Sequence, residues 1–496
     1  MPFDERGASN LIVPRWVGAH VRTHPPDHHL NKKSMDHLED PAPGAEHARG
    51  VERRTVVVIF ALAFGLCALL TKAHATGWND GSRIATIDAL TANHTFAIDG
   101  SPFAVGLGDE IRFRGTTYSD KPPLLPLLGA GIASLLAPFG ITLRHAPGTT
   151  IYLVTLFTVG VAFAVGCVYL YAFVRLLGYD RRLAAAVAAL TGTGTLALPY
   201  AIVLANHVPC GSAGLAGAYY LVRAREGKPA LAAAAGGLLG LAYAFDAAGV
   251  VFGVTAVVLL WGMPLRSWLL CAAAGVPFVA LQFAYNLRIS GSVLPTAYNA
   301  GVWSNTAWAS QVFAVYSLGD YLHFVFDLLI GTKGVFVYTP LMLVAAYGFA
   351  VMLRTPGTAR RVAAAVLATT AIYIALIVFL QNDVGAKNFG ERRYVDLFFL
   401  LGIALGPALA TVRGAAAVVA VRVAIACSVA IAALGTVAPF GGKAGEPGFV
   451  YASAAFAGLA HSAPIQAVLD VVLLVVMVAL VLRLVPFPAS AAPRRA

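Results

Sequence analysis

Four charged residues are the best candidates for chemistry in this sequence: Asp80, Lys121, Arg392 and Arg393. Lysine and arginine bind anionic groups, and arginine adds bidentate geometry to its charge. A carboxylate accepts hydrogen bonds and protons. Two of the four also have an ordinary explanation, since Asp80 suits the N-cap of a helix predicted over residues 83–92 and Lys121 suits an interfacial anchor. Which interpretation applies depends on the helices and loops that position these residues.

The segments around these residues are apolar enough to be membrane helices. Of 496 residues, 58% are hydrophobic and only 12% are charged, which is about half the charged fraction of an average soluble domain. The mean hydropathy is +0.75, and runs such as residues 55–70, 360–380 and 465–482 approach the roughly 20 residues that cross hydrocarbon. This composition excludes a soluble multidomain enzyme and a disordered or fibrous chain. It predicts an all-α polytopic membrane protein.

The distribution of basic residues predicts how the helices are oriented. Cytoplasmic loops carry an excess of lysine and arginine, so the basic residues before the first apolar run place the N terminus in the cytoplasm. If the run at residues 121–139 crossed the membrane, Arg175, Arg181 and Arg182 would lie outside. We therefore expect about 12 transmembrane helices with both termini cytoplasmic, and one in-plane or re-entrant helix at residues 121–139.

This topology divides the chain into a membrane domain and two tails. Residues 1–52 are polar and aperiodic, as is typical of a disordered cytoplasmic tail. Residues 53–486 form the transmembrane domain, and residues 487–496 form a second cytoplasmic tail. The outer loops that matter for chemistry are predicted at residues 74–120, which we expect to be structured with a small hairpin at residues 94–100, and at residues 287–335 and 381–394.

The net charge of +11 belongs to the membrane domain, where it is a topology signal and not a nucleic-acid footprint. Arg392 and Arg393 are the exception, because they lie on the outer side. Cations in that position indicate either an anionic partner or a loop that tolerates them. The five cysteines lie in or beside apolar runs without a CxxC pattern or a histidine at ligand spacing, so neither a disulfide framework nor a metal site is predicted.

Taken together, three motifs resemble the first extracytoplasmic loop of the GT-C-fold glycosyltransferases, of the aminoarabinose-transferase and protein O-mannosyltransferase type. They are Asp80 soon after the first span, Arg83-Ile84-Ala85, and the box Lys121-Pro122-Pro123-Leu124. The last motif is the most specific. The family often has Asp-Glu at the acidic position, where this sequence has Asp80-Gly81, and Asp109 and Glu110 are the substitutes for the missing acid.

The resemblance continues over most of residues 55–440 with less specific motifs. Asn206-His207 follows a span at its outer end, Lys333 lies in a segment similar to G-x-x-G-L-F-x-Y-S/T-P, and the segment at residues 388–394, which contains Gly390, Arg392 and Arg393, resembles a G-x-R-Y/W box. By this resemblance, the candidate substrate-binding residues are Arg83, Asn206, His207 and Lys333.

The resemblance implies a glycosyltransferase of the hexosyl or pentosyl type. Its donor would be a polyprenyl-phosphate-linked sugar, and its acceptor a hydroxyl group on a lipid, protein or glycan at the outer membrane face. Lys121, Arg392 and Arg393 would bind the donor phosphate, and Asp80 would deprotonate the acceptor in a direct displacement with inversion. No cofactor is implied with certainty; a divalent metal stays open as an alternative, although the sequence offers no convincing ligand set for one.

Two other functions remain open. A lipid-linked saccharide transporter or flippase would show inverted repeats and charges near the bilayer midplane, and we find no convincing repeat. A catalytically inactive GT-C-like scaffold is favoured by Gly81, which stands where a second acid is common. Asp246 lies in an otherwise apolar run, where a carboxylate is either a functional residue or part of a turn between two spans.

Overall fold

The computed structural model describes residues 43–296, 299, 302, 317–331, 333–380, 388–440 and 464–486. Residues 1–52 and 53–496 are separate compact units, and the second one is described below. The first helix begins at Pro43, ahead of the boundary predicted at residue 53. Residues 1–42 of the predicted N-terminal tail, the C-terminal tail at 487–496 and residues 381–387 of the outer loop at 381–394 lie outside the described residues, as does part of the loop at 287–335.

The first part of the described chain contains a long first helix, one small hairpin and a series of apolar helices. In order, they are α1 (Pro43–Leu70), α2 (Trp78–Asn93), β1 (Glu110–Phe113), β2 (Thr116–Ser119), α3 (Leu124–Leu136), α4 (Pro147–Thr155), α5 (Val161–Leu176), α6 (Arg181–Thr193), α7 (Ala197–Ala201), α8 (His207–Arg225), α9 (Leu231–Phe245), α10 (Phe252–Leu260) and α11 (Leu265–Ser290). A π-helical turn at Leu156–Gly160 joins α4 and α5 into a 30-residue apolar segment.

The second part of the described chain is helical in every regular element. Its helices are α12 (Leu318–Leu329), α13 (Val335–Tyr338), α14 (Leu341–Arg354), α15 (Thr358–Leu380), α16 (Val395–Gly402), α17 (Leu405–Thr411), α18 (Ala415–Gly435) and α19 (Pro464–Leu484). Pro356 and Gly357 separate α14 from α15, because proline disfavours a helical conformation for the residue before it and Gly357 adopts a φ of 88°.

Five helices of the described chain are long and apolar enough to cross a membrane. They are Gly50–Leu70, Pro147–Leu176, Leu265–Ser290, Thr358–Val378 and Ala415–Gly435, and a sixth span results if α16 and α17, bent by 54°, cross together. The all-α, polytopic class is thereby confirmed. The count of twelve crossings stays a prediction, as does the in-plane position of residues 121–139, where the structure has the short helix α3.

The α9 and α11 helices contact each other backbone to backbone through small residues. A Cβ atom on Gly236 would lie 1.8 Å from the carbonyl oxygen of Cys271, and one on Gly240 would lie 2.8 Å from that of Gly275. Inside a bilayer there is no hydrophobic drive between helices, so close packing of small residues supplies the attraction. These glycines therefore determine which helix α9 packs against.

The hairpin β1–β2 turns through Arg114 and Gly115, whose φ values are 52° and 83°. Positive φ at both central residues is the signature of a type I′ two-residue turn. The segment at 94–100, which the sequence suggests as a hairpin, does not form one, and the prediction is wrong there. Ala97 instead makes an isolated bridge to Tyr118 of β2, so this segment adds to the edge of the observed hairpin.

The α8 helix lies at the centre of the described core. It is buried over nearly its whole length and packs against α5, α9, α10 and α16. Its glycines at 211, 214 and 217 let neighbouring helices approach closely, since a Cβ atom at any of them would meet an atom of another helix within 3 Å. Its N-terminal residues, Asn206 and His207, are consequently enclosed by other helices and not exposed to water, being 4% and 6% exposed.

Candidate active site

Lys121 lies between two aspartates at the open end of the hairpin. Its Nζ atom is 2.8 Å from Oδ2 of Asp109 and 2.8 Å from Oδ2 of Asp120. The strand register explains the meeting, because Glu110 pairs with Ser119 and the residues just outside this pair come side by side. We call Asp109, Asp120 and Lys121 the acidic–lysine cluster; their side chains are 16%, 5% and 11% exposed.

The two carboxylates of the acidic–lysine cluster differ in their pKa. Burial acts to raise the pKa of Asp109, but the nearby Lys121 ammonium group lowers the pKa by more. The net result is a pKa below the ordinary value. Burial raises the pKa of Asp120 above its ordinary value. Oδ1 of Asp120 is buried without a hydrogen-bond partner in the described structure. Asp109 therefore has the lower pKa of the two and is the more accessible carboxylate.

The backbone near the acidic–lysine cluster is held by α2 and by the end of α11. Ser82 donates a hydrogen bond from Oγ to the carbonyl oxygen of Asp109 at 2.8 Å, and its Oγ is 2.5 Å from Oγ of Ser119. The Thr296 hydroxyl, just after α11, donates to the carbonyl oxygen of Asp120 at 2.6 Å. These contacts restrain both aspartates from two sides.

Asp80 occupies the third position of α2 and closes the start of that helix. Its Oδ2 accepts hydrogen bonds from the amide and hydroxyl groups of Thr76, at 2.7 and 2.9 Å. Its Oδ1 accepts from the amides of Gly77 and Gly81, at 2.8 and 3.0 Å. A carboxylate offers about four lone-pair sites, and here four donors of the chain itself occupy them. The geometry gives Asp80 the capping role that was the ordinary alternative.

Substitution of Asp80 by asparagine should destabilise the first loop. The amide nitrogen cannot accept a hydrogen bond, so two of the four donors would lose their partner. We expect a loss of about 1–3 kcal/mol, measured as a lower thermal unfolding temperature of the detergent-solubilised protein. The Asp99→Asn variant is the control, because both oxygens of the exposed Asp99 carboxylate lie within hydrogen-bond distance of the same amide, that of Thr117, and asparagine keeps one acceptor oxygen for it. An unchanged unfolding temperature together with a hundredfold loss of turnover would assign Asp80 to the chemistry instead.

Arg83 connects α2 to the segment before α8. Its guanidinium group donates to the carbonyl oxygen of Asn79 at 2.6 Å and to the side chains of Asn79 and Asn206. The side chain is 1% exposed, and burial lowers its pKa to about 10, so it stays charged at neutral pH. The structure thus brings together two predicted substrate-binding residues, Arg83 and Asn206, but they bond to each other.

His207 lies between two carboxylates from other parts of the chain. Its Nδ1 atom is 3.1 Å from Oδ2 of Asp246 and 3.1 Å from Oδ1 of Asp396. Asn206 donates to Oδ2 of Asp246 at 2.5 Å, and Tyr373 donates to Oδ2 of Asp396 at 2.5 Å. The sequence offered no convincing ligand set for a metal, whereas the tertiary structure places one histidine and two carboxylate ligand atoms within 4.8 Å of one another. Each of these side chains already has a partner within this group.

Arg393 is neutralised by a carboxylate of its own segment. Its Nε and Nη2 atoms each lie 2.7 Å from an oxygen of Glu391, in a bidentate pair, and Glu391 is fully buried. The carbonyl oxygen of Lys333 accepts a hydrogen bond from the amide of Glu391 at 3.2 Å, while the Lys333 residue is 3% exposed. Arg393 and Lys333 therefore hold this segment in place.

Arg392 differs from its neighbour because no carboxylate in the described part of the chain forms an ion pair with it. Its Nη1 atom donates to Oδ1 of Asn388 at 3.0 Å, and its guanidinium carbon lies 5.7 Å from the centre of the Phe440 ring. The charge of Arg392 is close enough to contribute to the lowered pKa of Asp109. The segment at 388–394 and the first loop therefore face the same region.

Sequence reasoning located most of these residues but missed two contacts. The two missed partners are Asp396 and Tyr373. Asp396 could have been found, because a carboxylate inside an apolar span is a signal of function. For Asp246 the sequence left a functional role and a turn role open. The structure shows a contact of each kind: Asp246 lies beside His207, and it caps the turn after α9 by accepting a hydrogen bond from the amide of Ala248.

Comparison with known proteins reveals similarity at the level of structure only. No known protein family and no curated protein matches the sequence. The fold is similar to that of ArnT from Cupriavidus metallidurans in the apo state, with 17% identity and a TM-score of 0.50 over 89% of this chain and 73% of ArnT. ArnT bound to undecaprenyl phosphate gives 16% identity and a TM-score of 0.49, over 86% and 76% of the two chains.

A further similar structure is the oligosaccharyltransferase AglB from Archaeoglobus fulgidus in complex with an inhibitory peptide and a dolichol-phosphate. It has 13% identity and a TM-score of 0.48, and the alignment covers 90% of this chain and 61% of AglB. The likeness to apo ArnT shows that this chain has the GT-C fold. The fold predicted from the first-loop motifs is thereby confirmed.

Proposed function

We propose that the protein transfers a sugar from a polyprenyl-phosphate donor to a hydroxyl acceptor at the outer membrane face, with inversion at the anomeric carbon. The observation that carries the proposal is the acidic–lysine cluster, with Arg392 nearby, on a GT-C fold. The cluster combines an ammonium group, an ionised carboxylate and a second cation. In a reaction between an anionic donor and a hydroxyl group, the carboxylate can accept the acceptor's proton and the two cations can stabilise the leaving phosphate.

Lys121 and Arg392 are the groups that we assign to the donor phosphate. A polyprenyl tail stays in the bilayer while its phosphate reaches the surface, so the phosphate needs cations at the end of the helix bundle. Arg392 has no carboxylate partner in the described structure, and its planar guanidinium suits the oxygens of a phosphate. The charge of Lys121 is balanced by two aspartates. Lys121 would therefore attract the phosphate less strongly than Arg392.

Asp109 is the carboxylate that we assign to the acceptor. Its pKa lies below the ordinary value, so that it is ionised at neutral pH, and its Oδ1 atom makes no hydrogen bond with the described residues. As the acceptor oxygen attacks the anomeric carbon, its proton passes to Asp109. The bond from that carbon to the phosphate oxygen breaks, and the electron pair leaves with the polyprenyl phosphate. Asp80, the base implied by the family resemblance, remains the alternative.

In this proposal, the other predicted residues hold in place the helices and the segment that carry the site. Arg83 and Asn206 fix α2 against the start of α8, and His207 links α8 to α16 through Asp396. Arg393 and Lys333 hold the segment that carries Arg392. We therefore regard them as positioning residues.

The test is a transfer assay with the purified full-length protein in lipid nanodiscs. The probes are undecaprenyl-phosphate donors carrying a labelled hexose or pentose, offered with lipid, peptide or glycan acceptors. We expect release of undecaprenyl phosphate coupled to a product whose anomeric configuration, read by NMR, is inverted. In sealed vesicles, movement of the intact donor between leaflets without such release would instead identify a transporter. Donor binding without release or movement would identify a scaffold.

A further inference from the structure

A basic cavity lies at the end of the helix bundle that is remote from the candidate active site. It has a volume of about 510 Å³ and is lined by Arg225 of α8 together with Arg360 and Arg361 in the first turn of α15. This volume falls within the roughly 300–1,000 Å³ that is typical of small-molecule sites. We call it the arginine cavity.

The position of the arginine cavity follows from the course of α8. This helix begins at His207, in the candidate active site, and ends at Arg225 after 19 residues. At about 1.5 Å per residue its length is roughly 28 Å, close to the roughly 30 Å of a bilayer's hydrocarbon core. The α15 helix runs the opposite way, because its Tyr373 bonds Asp396 at the active-site end. Because α15 is one of the helices long and apolar enough to cross a membrane, the cavity at its start lies at the membrane surface opposite the active site.

The three arginines have no acidic partner in the described part of the chain. Arg225 donates twice from Nη1, to the carbonyl oxygens of Leu259 and Trp261, both at 2.8 Å. Arg360 donates from Nε to the carbonyl oxygen of Leu353 at 2.8 Å. A guanidinium group has five N–H donors, so these bonds orient two of the arginines and leave donors available. Three uncompensated positive charges around one cavity favour an anionic ligand.

The surroundings of the cavity favour a lipid over a soluble anion. Val222, Leu259 and Ala364 supply an apolar part of the lining. Trp261, whose carbonyl oxygen binds Arg225, is 72% exposed, and Leu265 is 71% exposed. Exposed tryptophan beside arginine is typical of the membrane–water interface, and basic pockets between membrane helices bind anionic head groups.

From the charge, the apolar lining and the interfacial position together, we propose that the arginine cavity binds the phosphate head group of an anionic phospholipid in the leaflet opposite the active site. The site is independent of the proposed sugar transfer. Its occupant would tie the end of α8 to the start of α15. At the active-site end the same two helices are bridged by Asp396 of α16, which contacts His207 of α8 and Tyr373 of α15.

The experiment compares lipid binding to the full-length protein by native mass spectrometry from detergent. The probes are phosphatidylglycerol and phosphatidylcholine with identical acyl chains. Each arginine near an anionic surface contributes enough to change binding several-fold, so we expect phosphatidylglycerol to be preferred by about tenfold or more. The double variant Arg360→Gln/Arg361→Gln should lose most of this preference. Equal binding of the two lipids to the unmodified protein would overturn the proposal.

Two further variants separate a defined site from general surface charge. Arg181→Gln/Arg182→Gln is the matched control, because this exposed pair also lies in the first turn of a helix but does not line the cavity. It should keep the preference for phosphatidylglycerol. Ala364→Trp retains every charge and places a bulky ring in the cavity lining, and it should weaken the preference. If the control weakens binding as much as the Arg360/Arg361 change, or if Ala364→Trp has no effect, the cavity is not the site.

A last arm distinguishes the source of the phosphate. Glycerol 3-phosphate and inorganic phosphate are added in large excess over the lipid. We expect neither to displace phosphatidylglycerol, because neither can use the apolar lining. Displacement at concentrations comparable to that of the lipid would show a site for a soluble phosphate and would overturn the lipid assignment.

Discussion

Asp109→Asn should lower the turnover of sugar transfer by about 10²–10⁴-fold, the usual contribution of a positioned general base. Asparagine keeps the shape of the side chain but cannot take the acceptor proton. Affinity for the polyprenyl-phosphate donor should stay the same or improve, because the substitution removes a negative charge close to the phosphate site. The measurement is single-turnover transfer in nanodiscs alongside donor binding by titration.

The control for this prediction is Asp99→Asn, which alters a carboxylate of the same loop that accepts a hydrogen bond from Thr117, towards the turn end of the hairpin. It should leave turnover unchanged. The pH profile provides a second check, because the pKa of Asp109 lies below its ordinary value. Turnover should stay level as pH falls from neutral and should drop only in acid, where the carboxylate takes up its proton. Near-full activity of Asp109→Asn would exclude Asp109 as the base and return attention to Asp80.

Arg392→Gln should weaken donor binding by about 10–100-fold, which corresponds to the roughly 1.5–3 kcal/mol of a hydrogen bond to a charged group. The side chain is only partly buried and has no carboxylate partner in the described structure, so its removal leaves no charge stranded. Thermal stability should therefore be nearly unchanged. Titration of the labelled donor measures the affinity, and the unfolding temperature measures the stability.

Arg393→Gln should behave in the opposite way. It breaks the bidentate pair with the buried Glu391, and breaking a buried pair costs about 3–5 kcal/mol because one charge is left uncompensated. We expect a clear fall in the unfolding temperature. Arg112→Gln, at an exposed arginine of the hairpin, is the neutral control for both variants. A loss of donor affinity in Arg393→Gln at full stability, with none in Arg392→Gln, would reverse the two assignments.

The sequence by itself determined the class of fold. Long apolar segments in lipid must satisfy every backbone polar group internally, so they form helices. For this reason the apolar run at residues 360–380 coincides closely with α15. The start of α2 was harder to predict from the sequence, because Asp80 lies inside the helix and not before it. Several residues near a helix start can cap it, and only the backbone path from Thr76 decides which one does.

The sequence also identified Lys121 and named Asp109 as a substitute acid, but their meeting was decided by the hairpin. Asp109 and Lys121 come together only in the register that pairs Glu110 with Ser119. The type I′ turn at Arg114-Gly115 sets that register, and a slip of one residue would send the side chains to opposite faces. Local composition around 94–100 favoured a different hairpin, so pattern alone was insufficient here.

The contacts around His207 depended on tertiary structure entirely. His207 and Asp396 are 189 positions apart in the chain, and nothing in the residues around either one specifies the other as its partner. Which helices meet is settled by close packing between small residues, such as Gly211 of α8, where a Cβ atom would lie 2.7 Å from the carbonyl oxygen of Asp396. A sequence shows that an intramembrane carboxylate needs a partner; only the packed bundle shows which residue that partner is.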